Sequence, residues 1–386
     1  MACPENMHST GLEMKIGIDI RAAIEEPAGI GKIVGNMTKQ LISIDAMNQY
    51  ILYSNKPYEF GIHNSRVRVV VVDFAGVPAG WLLWHIAVVI RARHLDKVDR
   101  FLSVASLQAA ALTKNLVTLI VPDLTNVLFP EWHVGRPKLT GRLFLGRAMR
   151  NAREIVAISQ NTRSDILRYA GGAIAEGKVS VAHIACEDDF FRAVPPDEVD
   201  RVRQRYGLKS RYILNVGTIE PRKNLPSLIK AFAGVAAAVE DLDLIVVGRK
   251  GWKWQETFEA AEQSSVRHRI RFLEYVPPGD LPAMYAGAEL FVYPSFYEGF
   301  GIPPLEAMAC GVPVITSNTS SLPEVVGEAA IQIDPGDTIA LQESMLRLLH
   351  DENLRKMYSQ SGRKQSEKFS WQTFGRNILQ LVSRTP

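Results

Sequence analysis

Short runs of β-branched and apolar residues, each followed by a longer stretch of helical periodicity, recur along the whole chain. That alternation restricts the fold to parallel sheets wrapped by helices, an α/β architecture. The first series predicts strands at 15–18, 50–53, 67–72, 101–104, 117–121 and 154–158, with helices such as 31–44 and 162–169 between them. The rhythm restarts at 212–216 and continues at 242–247, 270–273, 290–293, 312–316 and 331–333. Between the two series Pro195-Pro196 leads into a charged stretch, the composition of a linker entering a short helix. With 386 residues the chain exceeds the usual size of one core, so two domains are expected, 14–195 and 196–368. The halves are alike in class, not in sequence.

Composition removes several function classes. Hydrophobic residues make up 47% and charged residues 22%, as in ordinary globular proteins. A net charge of +3 does not suit a protein that coats nucleic acid, so none is expected as a partner. Cys3, Cys186 and Cys310 form no Cys-x-x-Cys pair, which suggests neither a zinc knuckle nor a disulfide framework. Residues 1–13 are polar and lack the apolar core of a signal peptide, so they read as a disordered leader. The apolar stretch 81–90 is too short to span a bilayer, contains His85 and meets Arg91 and Arg93; it reads as a core helix. A cytoplasmic protein is expected, with at most a peripheral place on the inner face of the cell membrane.

In open parallel sheets ligands bind beyond the carboxyl ends of the strands. Beyond the predicted strand 290–293 comes Ser295-Phe-Tyr-Glu298-Gly299-Phe300-Gly301-Ile302-Pro303-Pro-Leu-Glu306. Glycines let backbone approach a ligand, proline suits a first helical turn, and a helix N-terminus attracts an anion such as a diphosphate. Two carboxylates beside that turn suit sugar and ribose diols, because each oxygen accepts a separate hydrogen bond. A solvated helix-capping loop would account for one glutamate but not for two beside these glycines. Directly after the strand 212–216 come Glu220-Pro-Arg222-Lys223-Asn224, where Lys223 offers a point charge and Arg222 a planar fork to phosphate. Alone this would be a solvated basic loop; in the same domain as the glutamate motif it reads as a phosphate site.

In the first half, Pro27-Ala-Gly29-Ile-Gly31-Lys32 opens a helix, yet Gly29, Gly31 and Gly35 fit neither a dinucleotide fingerprint nor a P-loop. A plain strand-to-helix turn and a ligand loop are equally compatible with it. Asp241-Leu-Asp243 imitates a metal-binding Asp-x-Asp but enters a strand at the end away from ligands, so it reads as a loop. Trp252 and Trp254 could stack on a base or sugar, although such residues more often cover a core edge.

From residue 14 onward these features resemble the large retaining glycosyltransferase family numbered four, whose GT-B fold faces two Rossmann-like domains across a cleft. The most specific part of the resemblance is YVPPGDLPAMYAGAELFVYPSFYEGFGIPPLEAMACGVPV and the residues after it. The resemblance implies that Glu298 contacts the donor sugar and Glu306 the nucleotide ribose. It implies that Lys223 and Arg222 hold the diphosphate with backbone N–H groups of Gly299, Phe300, Gly301 and Ile302. Gly29 and Gly31 would face the diphosphate from the opposite domain, and the last segment, 369–386, would cross back onto the N-terminal domain. The catalytic set is then Glu298, Asp123 and Lys223. One departure stands out: where the family commonly carries His-Asp, this chain has Pro122-Asp123.

GTIEPRKNL and PSFYEGFGIPPLEAMACGVPV resemble bacterial polysaccharide and O-antigen transferases, many of which use GDP-mannose. The expected reaction is transfer of a hexose, mannose first among the candidates, from a nucleotide sugar to a growing glycan on a lipid carrier, without metal or other cofactor. Arg136, Lys138, Arg142, Arg147, Arg150 and Arg153, with Leu139, Leu143 and Phe144, read equally as a membrane-surface helix or a solvated face. A nucleotide-sugar epimerase of the same fold and a non-catalytic nucleotide-sugar-binding scaffold are the alternatives. A dehydrogenase is disfavoured for want of a dinucleotide fingerprint.

Overall fold

A computed structural model describes residues 13–25, 29–58, 61, 64–132 and 136–384, with no side-chain description at 136–140 and 142. All but the last residue of the expected leader lies outside the described residues. The first sheet contains β1 (Lys15–Asp19), β2 (Gln49–Ser54), β3 (Val67–Val71), β4 (Arg100–Val104), β5 (Val117–Val121), β6 (Glu154–Ala157) and β7 (Val179–Val181), in the order β3-β2-β1-β4-β5-β6-β7. The second contains β8 (Arg211–Val216), β9 (Leu242–Val247), β10 (Ile270–Leu273), β11 (Leu290–Tyr293), β12 (Val314–Ser317) and β13 (Ile331–Ile333), in the order β10-β9-β8-β11-β12-β13. Every paired neighbour in both sheets is parallel.

The strands follow from residues that fill both sides of a covered sheet. β5, Val-Thr-Leu-Ile-Val, is buried at every position, as parallel strands sandwiched by helices must be. β7 escapes sequence reading because its three residues include Ser180 and only Val179 is fully buried. β12 starts two residues later than predicted. The N–H of Val312 donates to the Ala307 carbonyl and Pro313 has no N–H, so the ladder cannot begin before Val314. The reading of 241–243 as a loop is corrected: Asp243 lies inside β9, paired with Tyr212, while Asp241 precedes it with φ of 51°. The helix Gly80–Ile90 buries Trp84, His85, Val88 and Val89. No helix among the described residues is long and apolar enough to cross a membrane.

Three apolar clusters hold the chain together. One covers a face of the first sheet and one a face of the second. The third runs without interruption from Ile16, Ile18 and Leu102 to Tyr285, Phe291 and Leu305, joining the two sheets' inner layers. The helix Trp371–Ser383 belongs to this shared cluster. Ser370 caps it by accepting from the Thr373 N–H, and Phe374 and Ile378 are fully buried, each burial worth roughly 1.5–3 kcal/mol. It packs on the helix Ile30–Ile44 of the first sheet, with Gly375 against Gln40, and its Val382 carbonyl accepts from Arg100 Nε at 3.0 Å.

In each sheet the strand order reverses beside the first strand, between β1 and β4 and between β8 and β11. Loops leaving adjacent strands there diverge to opposite faces, which opens a crevice at the carboxyl ends. The two crevices line one cavity.

Candidate donor site

That cavity has a volume of about 690 Å³ and is walled by loops after β1, β4, β5 and β6 on one side and after β8, β9 and β11 on the other. It brings together Gly29, Asp123, Arg222, Lys223, Glu298, Gly299, Phe300, Gly301, Ile302 and Glu306. Gly31 does not line it; this glycine turns to a neighbouring cavity of about 470 Å³ with Asn36 and Glu187.

The cations are fixed by the loop after β8. Residues Pro221–Lys223 form one turn of 3-10 helix, and Asn224 reverses the chain with φ of 54°, a conformation asparagine tolerates well. Its side-chain amide donates to the carbonyls of Pro294 and Pro335, so the turn cannot swing away. Arg222 and Lys223 therefore converge on Glu298. Lys223 Nζ lies 2.7 Å from Glu298 Oε1 and 2.5 Å from the Tyr293 hydroxyl. Arg222 Nη1 lies 2.5 Å from Glu298 Oε2, and its Nε 2.5 Å from Glu220 Oε1. Glu220, Lys223, Tyr293 and Glu298 are nearly closed off from solvent and Arg222 is partly buried, so their charges act on one another in a weakly screening medium. Burial alone would raise the Glu298 carboxyl, but Arg222 and Lys223 outweigh it and hold the group at about 2. Burial, and then the Arg222 guanidinium, draw the Lys223 ammonium below the ordinary lysine value.

The glutamate loop is held from beneath. Ser320 accepts from the Glu298 N–H, and the Ser321 hydroxyl is close to the carbonyls of Glu298 and Phe300. Gly301 has φ of 122°, which excludes most side chains, and the helix Ile302–Ala309 starts directly after it with Pro303 in its first turn. Among the described residues, none accepts from the backbone N–H groups of Gly299, Phe300 or Gly301. One turn into the helix, Glu306 accepts from the Tyr285 hydroxyl at 2.8 Å and lies 3.8 Å from Lys32 Nζ. Burial raises the Glu306 carboxyl above its ordinary value despite Lys32 and Tyr285.

The opposite wall is in direct contact with this loop. Asp123 Oδ1 accepts from the N–H and hydroxyl of Thr125, which aims the rest of the carboxylate at the cavity edge. The Thr162 hydroxyl bridges the carbonyls of Pro122 and Gly299, 3.1 and 3.3 Å away. A methyl group on Gly299 would meet the Pro122 carbonyl oxygen at 2.4 Å, so only glycine fits at this approach. Tyr297 donates to Asp165 at 2.5 Å, and Glu324 accepts from the N-terminal N–H of the helix Gln160–Ala170 while lying 2.5 Å from His183 Nε2.

Four residues of the site went unread in the sequence: Lys32, Glu220, Tyr285 and Tyr293. Lys32 stood in a quoted motif, but nothing local shows that it reaches Glu306. Of the two tryptophans read either as ligand-stacking or as core-edge residues, Trp252 lines the cavity and donates its indole N–H to the Trp132 carbonyl, whereas Trp254 packs on the core. Of the basic helix, Arg147, Arg150 and Leu143 are exposed, while Arg153 donates to the Arg384 carbonyl. The side chains of Arg136, Lys138, Leu139 and Arg142 lie outside the described ones. Among the described residues no three His, Cys, Asp or Glu side chains gather as a metal-binding group.

Comparison with known proteins agrees with this geometry. Residues 197–365 match the family described as Glycosyl transferases group 1. O-antigen chain mannosyltransferase B of Escherichia coli is 38% identical over 255 residues, which are 65% of this chain and 65% of that one. A GDP-mannose-dependent alpha-(1-6)-phosphatidylinositol monomannoside mannosyltransferase of Mycolicibacterium smegmatis is 31% identical over 255 residues, 63% of this chain and 65% of that one. The matched region thus spans just under two thirds of these relatives' own length. In structure, Anabaena Alr3699/HepE in complex with UDP and glucose superposes with a TM-score of 0.75 at 20% identity, covering 96% of this chain and all of that one. WaaG, a glycosyltransferase involved in lipopolysaccharide biosynthesis, superposes with a TM-score of 0.73 at 15% identity over 96% of this chain. The chain thus has the GT-B fold, and residues 197–365 of its second half match a group 1 glycosyltransferase domain.

Proposed function

We propose that the protein transfers a hexose, mannose from GDP-mannose in the first instance, to a growing lipid-linked glycan with retention of configuration. The observation that carries this reading is the single cavity in which two cations, two carboxylates and unpartnered backbone N–H groups from one sheet face Gly29 and Asp123 from the other. Relatives named as mannosyltransferases support the choice of sugar.

In this reading the diphosphate lies against Lys223, Arg222 and the turn before Ile302, Glu306 accepts from the ribose hydroxyls, and Glu298 from the sugar. The bond between the anomeric carbon and the phosphate oxygen breaks as the acceptor oxygen bonds to the same face of that carbon. The acceptor proton passes to a donor phosphate oxygen. Lys223 and Arg222 stabilise the negative charge that grows on the departing diphosphate, the term that preorganised charges in a dry site supply best. Contact between the walls at Gly299 and Pro122 excludes water that would otherwise hydrolyse the donor. Arg222 and Lys223 supply the counter-charge, so the reaction needs no divalent metal. Asp123 stands at the acceptor side of the cavity, and Pro122, whose carbonyl is engaged by Thr162, belongs to a working site. The exposed Leu143, Arg147 and Arg150 would place the acceptor end of the molecule against an anionic membrane surface.

The test is incubation of the full chain with GDP-mannose, UDP-glucose and other nucleotide sugars, with extracted lipid-linked glycans as acceptors. Mannose transfer from GDP-mannose, abolished by Lys223→Met, is the expected result. Binding of nucleotide without transfer from any donor would favour the scaffold, and conversion of a donor without acceptor the epimerase.

A further inference from the structure

The cluster beneath the cavity contains two cations, Arg222 and Lys223, and two carboxylates, Glu220 and Glu298, each at 2.5–2.7 Å from a partner. Its charges cancel. A diphosphate entering there gains little from cations already satisfied, unless one carboxylate lets go. The two carboxylates are not equivalent. Glu220 lies behind Arg222, 2% exposed and away from the cavity, and its Oε2 is buried without a hydrogen-bond partner. Separating it from Arg222 would strand a buried charge, which is strongly unfavourable. Glu298 lines the cavity, and its backbone is tied by Ser320 and Ser321, so its carboxylate can turn away while the loop stays in place.

We propose that Glu298 is a resident counter-ion which the incoming diphosphate displaces from Arg222 and Lys223, while Glu220 and Tyr293 are the positioning residues that hold the two cations after it leaves. The proposal rests on the donor-site reading above and adds the order of events at that site. Arg222 keeps its Nε contact to Glu220, and Lys223 keeps its contact to the Tyr293 hydroxyl, when their contacts to Glu298 are exchanged for phosphate oxygens. A sugar nucleotide gives the displaced carboxylate new partners in the sugar hydroxyls. A free nucleoside diphosphate gives it none. Glu298 therefore works against the leaving product as well as for the donor, and its return to Arg222 and Lys223 helps to expel the nucleoside diphosphate after transfer.

The test is calorimetric titration of the full chain with inorganic pyrophosphate and with GDP, in one buffer at fixed salt. Glu298→Gln should bind pyrophosphate about tenfold more tightly than the unaltered chain while transferring more slowly, the reciprocal of losing a charge-assisted hydrogen bond. Glu220→Gln removes the same charge from the same arginine and should show no gain. Tyr293→Phe, which changes no charge, should bind about threefold or more weakly, with GDP affected in parallel. A purely structural role for Tyr293 would lower the melting temperature and leave the affinity alone. Glu298→Ser serves in place of Glu298→Gln if the latter does not melt cooperatively. Equal or weaker pyrophosphate binding by both Glu298 variants, or an equal gain in Glu220→Gln, overturns the counter-ion proposal while Lys223→Met still abolishes binding. If Lys223→Met leaves pyrophosphate and GDP binding unchanged, the donor-site reading itself falls.

Discussion

Replacing Gly299 with alanine tests whether the two walls must touch for the reaction to proceed. The added methyl would lie 2.4 Å from the Pro122 carbonyl oxygen and 3.0 Å from Asp123 Cβ, where ordinary contact begins near 3.4 Å. The nearer obstacle is backbone and cannot rotate away, so the walls must part by about 1 Å, the difference between 3.4 and 2.4 Å. Overpacking of this kind costs about 1–3 kcal/mol, which disfavours the closed arrangement by roughly 5- to 150-fold. The Thr162 hydroxyl, which reaches both the Pro122 and Gly299 carbonyls, would lose one of them. A displacement of about 1 Å at reacting groups can itself cost about 100-fold in rate. Gly299→Ala should therefore reduce kcat/KM for transfer by about 10- to 100-fold. The affinity for free GDP, which the proposed donor site assigns mainly to Arg222, Lys223 and Glu306 of one domain, should change by less than about threefold. Initial-rate kinetics and calorimetry on the same preparation separate the two quantities. Transfer within twofold of the unaltered chain would refute the claim that this contact positions the reacting groups.

Glu306→Ala should raise the donor KM and weaken free GDP by about 1.5–3 kcal/mol, because the ribose is present in both; unchanged GDP affinity would place the ribose elsewhere. Chelation with EDTA should leave the transfer rate intact, and loss of activity restored by magnesium or manganese would contradict the role given to Lys223 and Arg222. Because the folded-state Glu298 carboxyl sits at about 2 rather than 4.5, its contribution to stability is present above pH 4.5 and is lost as the pH falls toward 2. Melting curves between pH 6 and pH 3 should accordingly show a smaller drop for Glu298→Gln than for the unaltered chain, and an equal or larger drop would count against that sign.

The sheets were legible because their strands are apolar runs bounded by glycine, proline and charge, and a covered parallel strand tolerates little else. β7 was not, since a three-residue edge strand with a serine at its centre carries no such run. Glu298, Arg222 and Lys223 were legible because each stands a few residues past a strand, and Glu306 because it lies one turn into the helix that follows, where the loop and the helix N-terminus declare a binding position in the local order of residues. Their supporting groups lack any local mark. Tyr285 and Tyr293 sit in apolar stretches and read as core, which they also are, and only the fold shows their hydroxyls turned onto Glu306 and Lys223. Lys32 and Glu306 come from opposite domains, and no periodicity can announce a contact of that separation. Gly31, which the family resemblance set beside Gly29, lines the adjoining cavity, and Lys32 lines both, a division that the local order of residues does not announce.

The helix Trp371–Ser383 has a consequence for how the polypeptide is made. Its buried Trp371, Phe374, Ile378, Leu381 and Val382 complete the surface of the helix Ile30–Ile44 beside the first sheet, although that helix leaves the ribosome more than three hundred residues earlier. The first domain therefore emerges with an apolar groove that its own sequence cannot fill. It must wait through synthesis of the entire second domain before the groove is closed. A chain cut short at residue 370 should expose the groove even though every group of the cavity is present.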